Sequence, residues 1–392
     1  MNSIFPRHRL QQQVMASLGA SPVTALLGPR QSGKTWLART LRVPPENYFD
    51  LEDDVSLMRL ESGPQSVLDR LTGTVVIDEI QRRPHLFTAL RVLADRPEPR
   101  ARFLILGSAS PALLKEASES LAGRISFIDM AGFHLDELPP EELEPGLERL
   151  WWAGGYPRSF LQADRQLSHR WRLDYLRSLA ERDLRELAES RLTSDQLRRL
   201  LLLVAHHHGQ AWNDSAVAST LGISHKTVQR HMELLKAAFI VREMPPYFAN
   251  VSKRLRKASR YYYRDSGLLH ALLGLRDLLS VMSHPVHGAS WEGFCIEQVI
   301  RGFELEPSSC FCYGVQSGTE MDMVVETSRG LVGFEFKAGP VPARTRSMLE
   351  SIQDIGLRQV FVIHPGERRF DLGEKIEAVP IRQLATLRGE VQ

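Results

Sequence analysis

The 392-residue chain carries 49 Lys and Arg against 47 Asp and Glu, a formal net charge of +2, with 43% hydrophobic and 24% charged residues. This is the composition of a soluble globular protein too long for one ordinary core, so two or three domains are expected, and any nucleic-acid partner has to be argued from local patches rather than from global charge. Three cysteines (Cys295, Cys310, Cys312) without a CxxC pair argue against a disulfide framework or zinc site, and neither a signal-peptide core nor an apolar run of about 18 residues occurs; a cytoplasmic, non-membrane protein is expected.

The first predicted elements are an apolar strand from Val23 to Leu27, a loop Gly28-Pro29-Arg30-Gln31-Ser32-Gly33-Lys34-Thr35, and a helix from Trp36 to Leu41. This matches the Walker A pattern in order and spacing. Glycines at 28 and 33 allow a tight turn, so that backbone amides and the following helix N-terminus point at phosphates. Lys34 would carry a point charge to the β and γ phosphates, and the Thr35 hydroxyl would join the shell of Mg²⁺.

Next, Thr74-Val75-Val76-Ile77-Asp78-Glu79 reads as a buried parallel strand ending in two acids, at the edge where open α/β sheets bind ligands. Asp78 would hold Mg²⁺ through water and Glu79 would polarise the attacking water. A third run, Phe103 to Gly107, delivers Ser108, which either orients that water or belongs to a serine turn before Pro111.

The strings GPRQSGKT (28–35), VVIDEIQRRP (75–84), LILGSAS (104–110) and SLAGR (120–124) resemble the AAA-type ATPases, and more narrowly a prokaryotic group in which such a domain precedes an uncharacterised C-terminal domain. The resemblance implies that Lys34 and Thr35 bind phosphate and Mg²⁺, that Asp78 and Glu79 form the Walker B pair, and that Ser108 stands at sensor 1. It offers Arg124 as an arginine finger acting on a neighbour's nucleotide, against a surface arginine closing a helix; as a finger it implies a homo-oligomer, such as a hexameric ring. No guanine-reading NKxD motif is present, so ATP is expected on the same analogy.

The proline-rich, acidic stretch 138–146 marks the end of the ATPase domain, expected over residues 1–138. Helical spacing follows in Trp171, Tyr175, Leu176 and Leu179 and again in Leu197, Leu200 and Leu201, giving a helical lid or connector over 139–205. Gly154-Gly155-Tyr156-Pro157-Arg158 also fits the family pattern, without a role that the residues themselves suggest. His206-His207-His208 reads as a helix end entering the Gly209 turn rather than as a metal site, because adjacent helical residues point apart.

From Asn213 a short helix to Leu221, a break at Gly222 and a Ser224-capped helix to Lys236 read as a helix-turn-helix. Val228, Met232 and Leu235 would face inward, leaving His225, Lys226, Gln229 and Arg230 outward for phosphates and base edges. Strands at 239–241 and 260–264 would frame a basic wing holding Lys253, Arg254, Arg256 and Lys257, giving a winged helix over 206–283. Such modules bind DNA or serve protein interactions.

From Val286 the chain reads helix, three strands, helix, strand (290–301, 310–313, 320–326, 331–337, 343–355, 359–364), the αβββαβ core of the restriction-endonuclease-like fold, over 284–392. Glu292, then Glu320-Met321-Asp322, then Gly333-Phe334-Glu335-Phe336-Lys337 resemble the PD-(D/E)XK signature without its proline. Glu335 and Lys337 share a strand face, with Phe334 and Phe336 opposite. Glu292, Asp322 and Glu335 would share Mg²⁺, and Lys337 would steady charge in phosphodiester cleavage. Folds of this type also persist as binding domains without chemistry. The whole is an α/β multidomain chain: an ATP- and Mg²⁺-dependent ATPase acting on DNA, or an ATP-dependent switch whose nuclease-like domain binds a protein.

Overall fold

The computed structural model describes residues 7–61, 63–108, 117, 119–139, 143–184, 193–248 and 255–391. The chain divides into two compact units, Met1–Gly132 with Glu233–Phe239, and Phe133–Met232 with Ile240–Gln392.

In the first unit the apolar runs become β1 (Val23–Gly28), β2 (Tyr48–Asp50), β3 (Gly73–Asp78), β4 (Ala101–Ser108) and β5 (Ile125–Asp129). They form a parallel sheet in the order β2-β3-β4-β1-β5. Because helices cover both faces, the central strands β1 and β4 are buried without alternation along nearly their whole length. On one face Leu10, Val14 and Leu18 of α1 (His8–Ala20) and Leu37 of α2 (Lys34–Thr40) pack on Leu26, Leu104 and Leu106. On the other, Leu60 of α3 (Asp54–Glu61) and Leu86, Phe87 and Leu90 of α4 (Leu86–Ala94) pack on Val75, Ile77, Phe103 and Ile105. Each such buried side chain contributes about 2 kcal/mol. This core fixes the carboxyl edge where Gly28, Asp78 and Ser108 end their strands, with Gly28 and Ser108 paired in register.

In the second unit the Gly154-Gly155 pair has a packing reason. A Cβ on Gly154 (φ +77°) would lie 2.1 Å from the Asp265 carboxylate. That carboxylate accepts from Gly155 N at 2.8 Å and caps the helix Ser266–Leu272 through Leu268 N at 2.9 Å. Arg172, fully buried, donates to the carbonyls of Trp152 and Gly267 at 3.0 and 3.2 Å. His206 ends a helix and Gly209 (φ +73°) turns the chain, as its spacing suggested.

The two helices of the expected helix-turn-helix are α5 (Asp214–Leu221) and α6 (His225–Ala237), separated by Gly222 at φ +65°. Asn213 Oδ1 caps the first, and Ser224 Oγ accepts from Thr227 N at 3.1 Å at the start of the second. Two antiparallel strands follow, β6 (Val241–Met244) and β7 (Arg260–Tyr263).

The C-terminal sheet holds six strands: β8 (Cys310–Gly314), β9 (Glu320–Thr327), β10 (Gly330–Phe336), β11 (Gln359–His364), β12 (Phe370–Gly373) and β13 (Ile376–Pro380), in the order β12-β13-β11-β10-β9-β8. With α7 (His287–Phe303) before β8 and α8 (Arg346–Ile355) before β11, the element order is αβββαβ extended by two strands. No helix among the described residues is long and apolar enough to cross a membrane.

Candidate functional site

The turn after β1 is built as phosphate-loop chemistry requires. Gly33 takes φ +98° and Gln31 φ +62°, and a Cβ on Gly28 would lie 1.9 Å from the Met130 carbonyl oxygen. Only glycine fits there. Arg7, buried, donates to the carbonyls of Ser32, Ala131 and Gly132 at 3.3, 3.0 and 3.0 Å, tying the loop to the exit of β5. The Lys34 ammonium folds back onto the carbonyls of Gly28 and Pro29 at 2.9 and 2.8 Å. Burial pulls its pKa down to about 8, against the opposing pull of Glu79 and Asp78.

Thr35 Oγ1 donates to Asp78 Oδ2 at 2.8 Å, so the Walker A hydroxyl and the first Walker B acid, 43 residues apart in sequence, meet. The same carboxylate oxygen accepts from Tyr48 OH at 2.9 Å, and Asp78 Oδ1 accepts from Glu79 N at 3.0 Å. Glu79 sits in the left-handed region (φ +57°), costly for a non-glycine residue, and is hydrogen-bonded by Gln81. Burial raises its carboxyl above the usual range, with Asp78 adding to the rise. Ser32 Oγ and Ser108 Oγ are buried with no hydrogen-bond partner among the described residues. A hydroxyl and a carboxylate side by side are hard oxygen donors that suit Mg²⁺, and the two orphan hydroxyls suit phosphate oxygens.

Arg124 is not brought to this edge. It precedes β5 at the opposite, amino edge of the sheet, where its guanidinium meets Asp95 at 3.0 Å and the Ala122 carbonyl at 2.7 Å.

In the second unit, the antiparallel register sets Phe334 opposite Met323, so Asp322 and Glu335 come together at the end of the β9–β10 hairpin. Asp322 Oδ2 accepts from Phe336 N at 2.9 Å, and Lys337 Nζ donates to Glu335 Oε1 at 2.6 Å. Phe334 and Phe336 are buried. Glu292, on α7, is held by the Tyr262 hydroxyl and lies 3.5 Å from the Arg260 guanidinium, which also binds Glu320 at 2.8 Å. Burial and the Asp322 charge raise the Glu292 carboxyl well above the usual range, and the same two causes push Glu335 to about 8. Asp322 is raised by burial, against the Phe336 amide and Lys337. Burial opposes the Lys337 charge, but Glu335, Asp322 and Glu292 together outweigh it and raise the ammonium.

The metal set expected of Glu292, Asp322 and Glu335 is closed in this state. Among the described residues no three His, Cys, Asp or Glu side chains form a group able to hold a metal ion. The physical reason is that Tyr262 and Arg260, the Phe336 amide and Lys337 already engage one oxygen of each of the three carboxylates. Among the described residues Glu335 Oε2 is buried without a hydrogen-bond partner.

On α6, Val228, Met232 and Leu235 are buried and Lys226, Gln229 and Arg230 exposed, as the helical spacing predicts. The basic wing is different. Lys253 and Arg254 lie outside the described residues, and the described ends of the strand connection, 245–248 and 255–259, meet the edge of β8. Tyr247 N and Arg256 N donate to Cys312 and Gly314 carbonyls at 2.7 and 2.8 Å, and Leu255 bridges Val315. Arg256 is tied to Glu320 at 3.1 Å, while Lys257 stays exposed. Unmet carbonyls on the edge strand and the acid at 320 draw the segment in.

Sequence reasoning missed Arg7, Tyr48, Arg260 and Tyr262. For the last two a signal existed: positions 260, 262 and 264 share one strand face by period two, and all three meet α7 acids, Arg264 binding Glu297 at 3.2 Å. Glu297 also accepts from Arg242, and burial notwithstanding, the two arginines hold its carboxyl down at about 2.

Models of three families match the chain: an AAA domain over residues 20–138, a domain of unknown function (DUF8612) over 144–279, and a domain of unknown function (DUF4143) over 287–384. Among solved structures the chain is similar to the Walker-type ATPase paby2304 of Pyrococcus abyssi, at 19% identity, covering 69% of this chain and 96% of that one with a TM-score of 0.48. It is also similar to the Bacillus subtilis DNA clamp loader delta protein (YqeN), at 15% identity over 58% and 88% of the two chains with a TM-score of 0.29. Two curated relatives, "Uncharacterized protein Rv2008c" of Mycobacterium tuberculosis and "Uncharacterized protein Mb2031c" of Mycobacterium bovis, are each 40% identical over 384 residues, 98% of this chain and 85% of theirs. The chain therefore belongs to the family of these mycobacterial proteins, and in it an AAA-type P-loop ATPase domain precedes two domains of unknown function.

Proposed function

We propose that this protein hydrolyses ATP in its first unit and uses that turnover to remodel or translocate DNA, branched or single-stranded DNA being the favoured substrates. The observation that carries the ATPase reading is the meeting of Thr35 with Asp78 at 2.8 Å beside the buried Lys34 ammonium. In this reading residues 28–35 cradle the phosphates, and Lys34 exchanges its two carbonyl partners for phosphate oxygens. Thr35 and Asp78 hold Mg²⁺, which neutralises phosphate charge when bound. Glu79 polarises the attacking water with a carboxyl that burial raises above its usual range, and Ser108 turns its hydroxyl to the γ phosphate. Arg124 acts only if a neighbouring copy in a ring is met at the amino edge.

DNA contact is supported by the exposed Lys226, Gln229 and Arg230 on a capped helix after a glycine turn. A second reading, an ATP-dependent switch that binds a protein partner, is favoured by one observation: Arg256 is engaged by Glu320 rather than presented as a wing. An ATPase assay with linear, single-stranded and junction DNA separates them. The first reading expects DNA to raise turnover, binding to weaken steeply with salt, and charge reversal at Lys226 and Arg230 to remove both effects. Hydrolysis indifferent to every nucleic acid supports the switch. Glu79→Gln should trap bound nucleotide under either.

A further inference from the structure

The chain leaves β3 through Glu79 and enters a single 3-10 turn, Ile80–Arg82. In helical geometry side chains two apart do not face each other, yet Gln81 Nε2 donates to Glu79 Oε2. The two meet because Glu79 takes φ +57°, a left-handed conformation unfavourable for any residue with a side chain and therefore held in place by its surroundings. Ile80 is fully buried in the core, and the amides of Arg82 and Arg83 donate to the carbonyls of Glu79 and Ile80, each at 3.0 Å. An ionised carboxylate only accepts hydrogen bonds, so the amide nitrogen is committed to Glu79 and the amide oxygen is turned elsewhere. That oxygen, Gln81 Oε1, is buried with no hydrogen-bond partner among the described residues. A buried acceptor left unmet beside strained backbone, at the carboxyl edge of the sheet, marks a position that a donor from the reacting system fits.

We propose that Gln81 positions the water that attacks ATP: its Nε2 fixes the Glu79 carboxylate, and its Oε1 accepts one hydrogen of that water. This rests on the ATPase reading of the site and names the group that aims the nucleophile. Water has two hydrogens to donate. Glu79 accepts one and Gln81 the other, which leaves an oxygen lone pair directed at the γ phosphorus. As the water oxygen bonds that phosphorus, the bond from phosphorus to the β-bridging oxygen breaks and ADP keeps the electron pair. The hydrogen facing Glu79 passes to the carboxylate and on to solvent, while the hydrogen facing Gln81 stays on the new phosphate. Gln81 therefore takes no proton, and its part is to fix direction.

The test uses the full chain and three measurements: single-turnover hydrolysis of Mg-ATP, affinity for Mg-ATP, and affinity for ADP with aluminium fluoride, a transition-state mimic that retains the in-line water. Gln81→Met keeps the length of the side chain and removes both hydrogen-bonding groups. It should slow hydrolysis on the order of 10- to 100-fold and weaken binding of the mimic in proportion, while Mg-ATP affinity stays within about twofold. Placed on Glu79→Gln, which is already slow, Gln81→Met should change the residual rate by less than about twofold, because the two side chains act on one water. If the wild type hydrolyses ATP and Gln81→Met matches or exceeds it, the inference is overturned and the ATPase reading stands. A loss of rate matched by an equal loss of Mg-ATP affinity, or a full further loss on top of Glu79→Gln, overturns it as well by giving Gln81 a structural part. A wild-type chain that binds Mg-ATP and never hydrolyses it, with or without DNA, overturns both.

Discussion

Lys34 offers a prediction whose size follows from its surroundings. In the free protein its pKa stands at about 8 rather than 10.5, because burial costs more than Glu79 and Asp78 return. A bound triphosphate would restore the ammonium to its ordinary value or higher. Below pH 8 the lysine is charged in both states and affinity is flat. As pH rises through 8 the free protein sheds the proton and binding must recapture it, so affinity falls until the bound state also titrates. Between pH 7.5, above the second ionisation of a phosphate, and pH 9.5, the dissociation constant for Mg-ATP should rise about 20-fold, or roughly 1.8 kcal/mol. Equilibrium titration with a fluorescent ATP analogue reads this directly, and calorimetry in two buffers of different ionisation enthalpy should show uptake of nearly one proton at pH 9. Lys34→Arg, charged throughout, should bind more weakly but with a flat profile. A wild-type affinity constant between pH 7.5 and 9.5 would falsify the account of a desolvated ammonium awaiting phosphate.

Tyr48→Phe deletes one of two hydroxyls on Asp78 Oδ2. It should lower ATP turnover about fivefold, one hydrogen bond's worth, while leaving Mg²⁺-free nucleotide binding unchanged; equal loss in both would make Tyr48 merely structural. Gly28→Ala forces a methyl to 1.9 Å from the Met130 carbonyl, and thermal unfolding of the first unit should show a loss of about 3 kcal/mol or more. Glu297→Gln leaves Arg242 and Arg264 buried without their counter-charge and should cost about 3–5 kcal/mol. Since the Glu297 pKa is depressed from 4.5 to about 2, that ion pair stabilises fully above pH 4.5 and is lost as pH falls toward 2. Acid unfolding of the second unit should therefore be steeper in the wild type than in Glu297→Gln, and parallel curves would count against the triad.

The parts legible in the sequence are those whose chemistry is local. Gly28, Gly33, Lys34 and Thr35 lie within eight residues, and the strand, turn and helix that present them follow from apolar runs and two glycines. The period of two placed Phe334 and Phe336 in the core, and the period of 3.6 placed Val228, Met232 and Leu235 there, because alternation and helical spacing report burial without knowledge of the partner surface. What the tertiary structure decided is which charges meet. Tyr48 reaches Asp78, Arg7 reaches the Ser32 carbonyl, and Arg260 and Tyr262 reach Glu292, across separations of 25 to 32 residues in chain position. The connection between β6 and β7 reads as an open basic wing by composition, yet hydrogen bonds from Tyr247 and Arg256 to the edge-strand carbonyls of Cys312 and Gly314, and the acid at 320, draw its described ends onto the sheet. Short-range sterics and hydrophobic periodicity are encoded residue by residue, whereas the pairing of buried charges depends on which elements the completed core brings side by side.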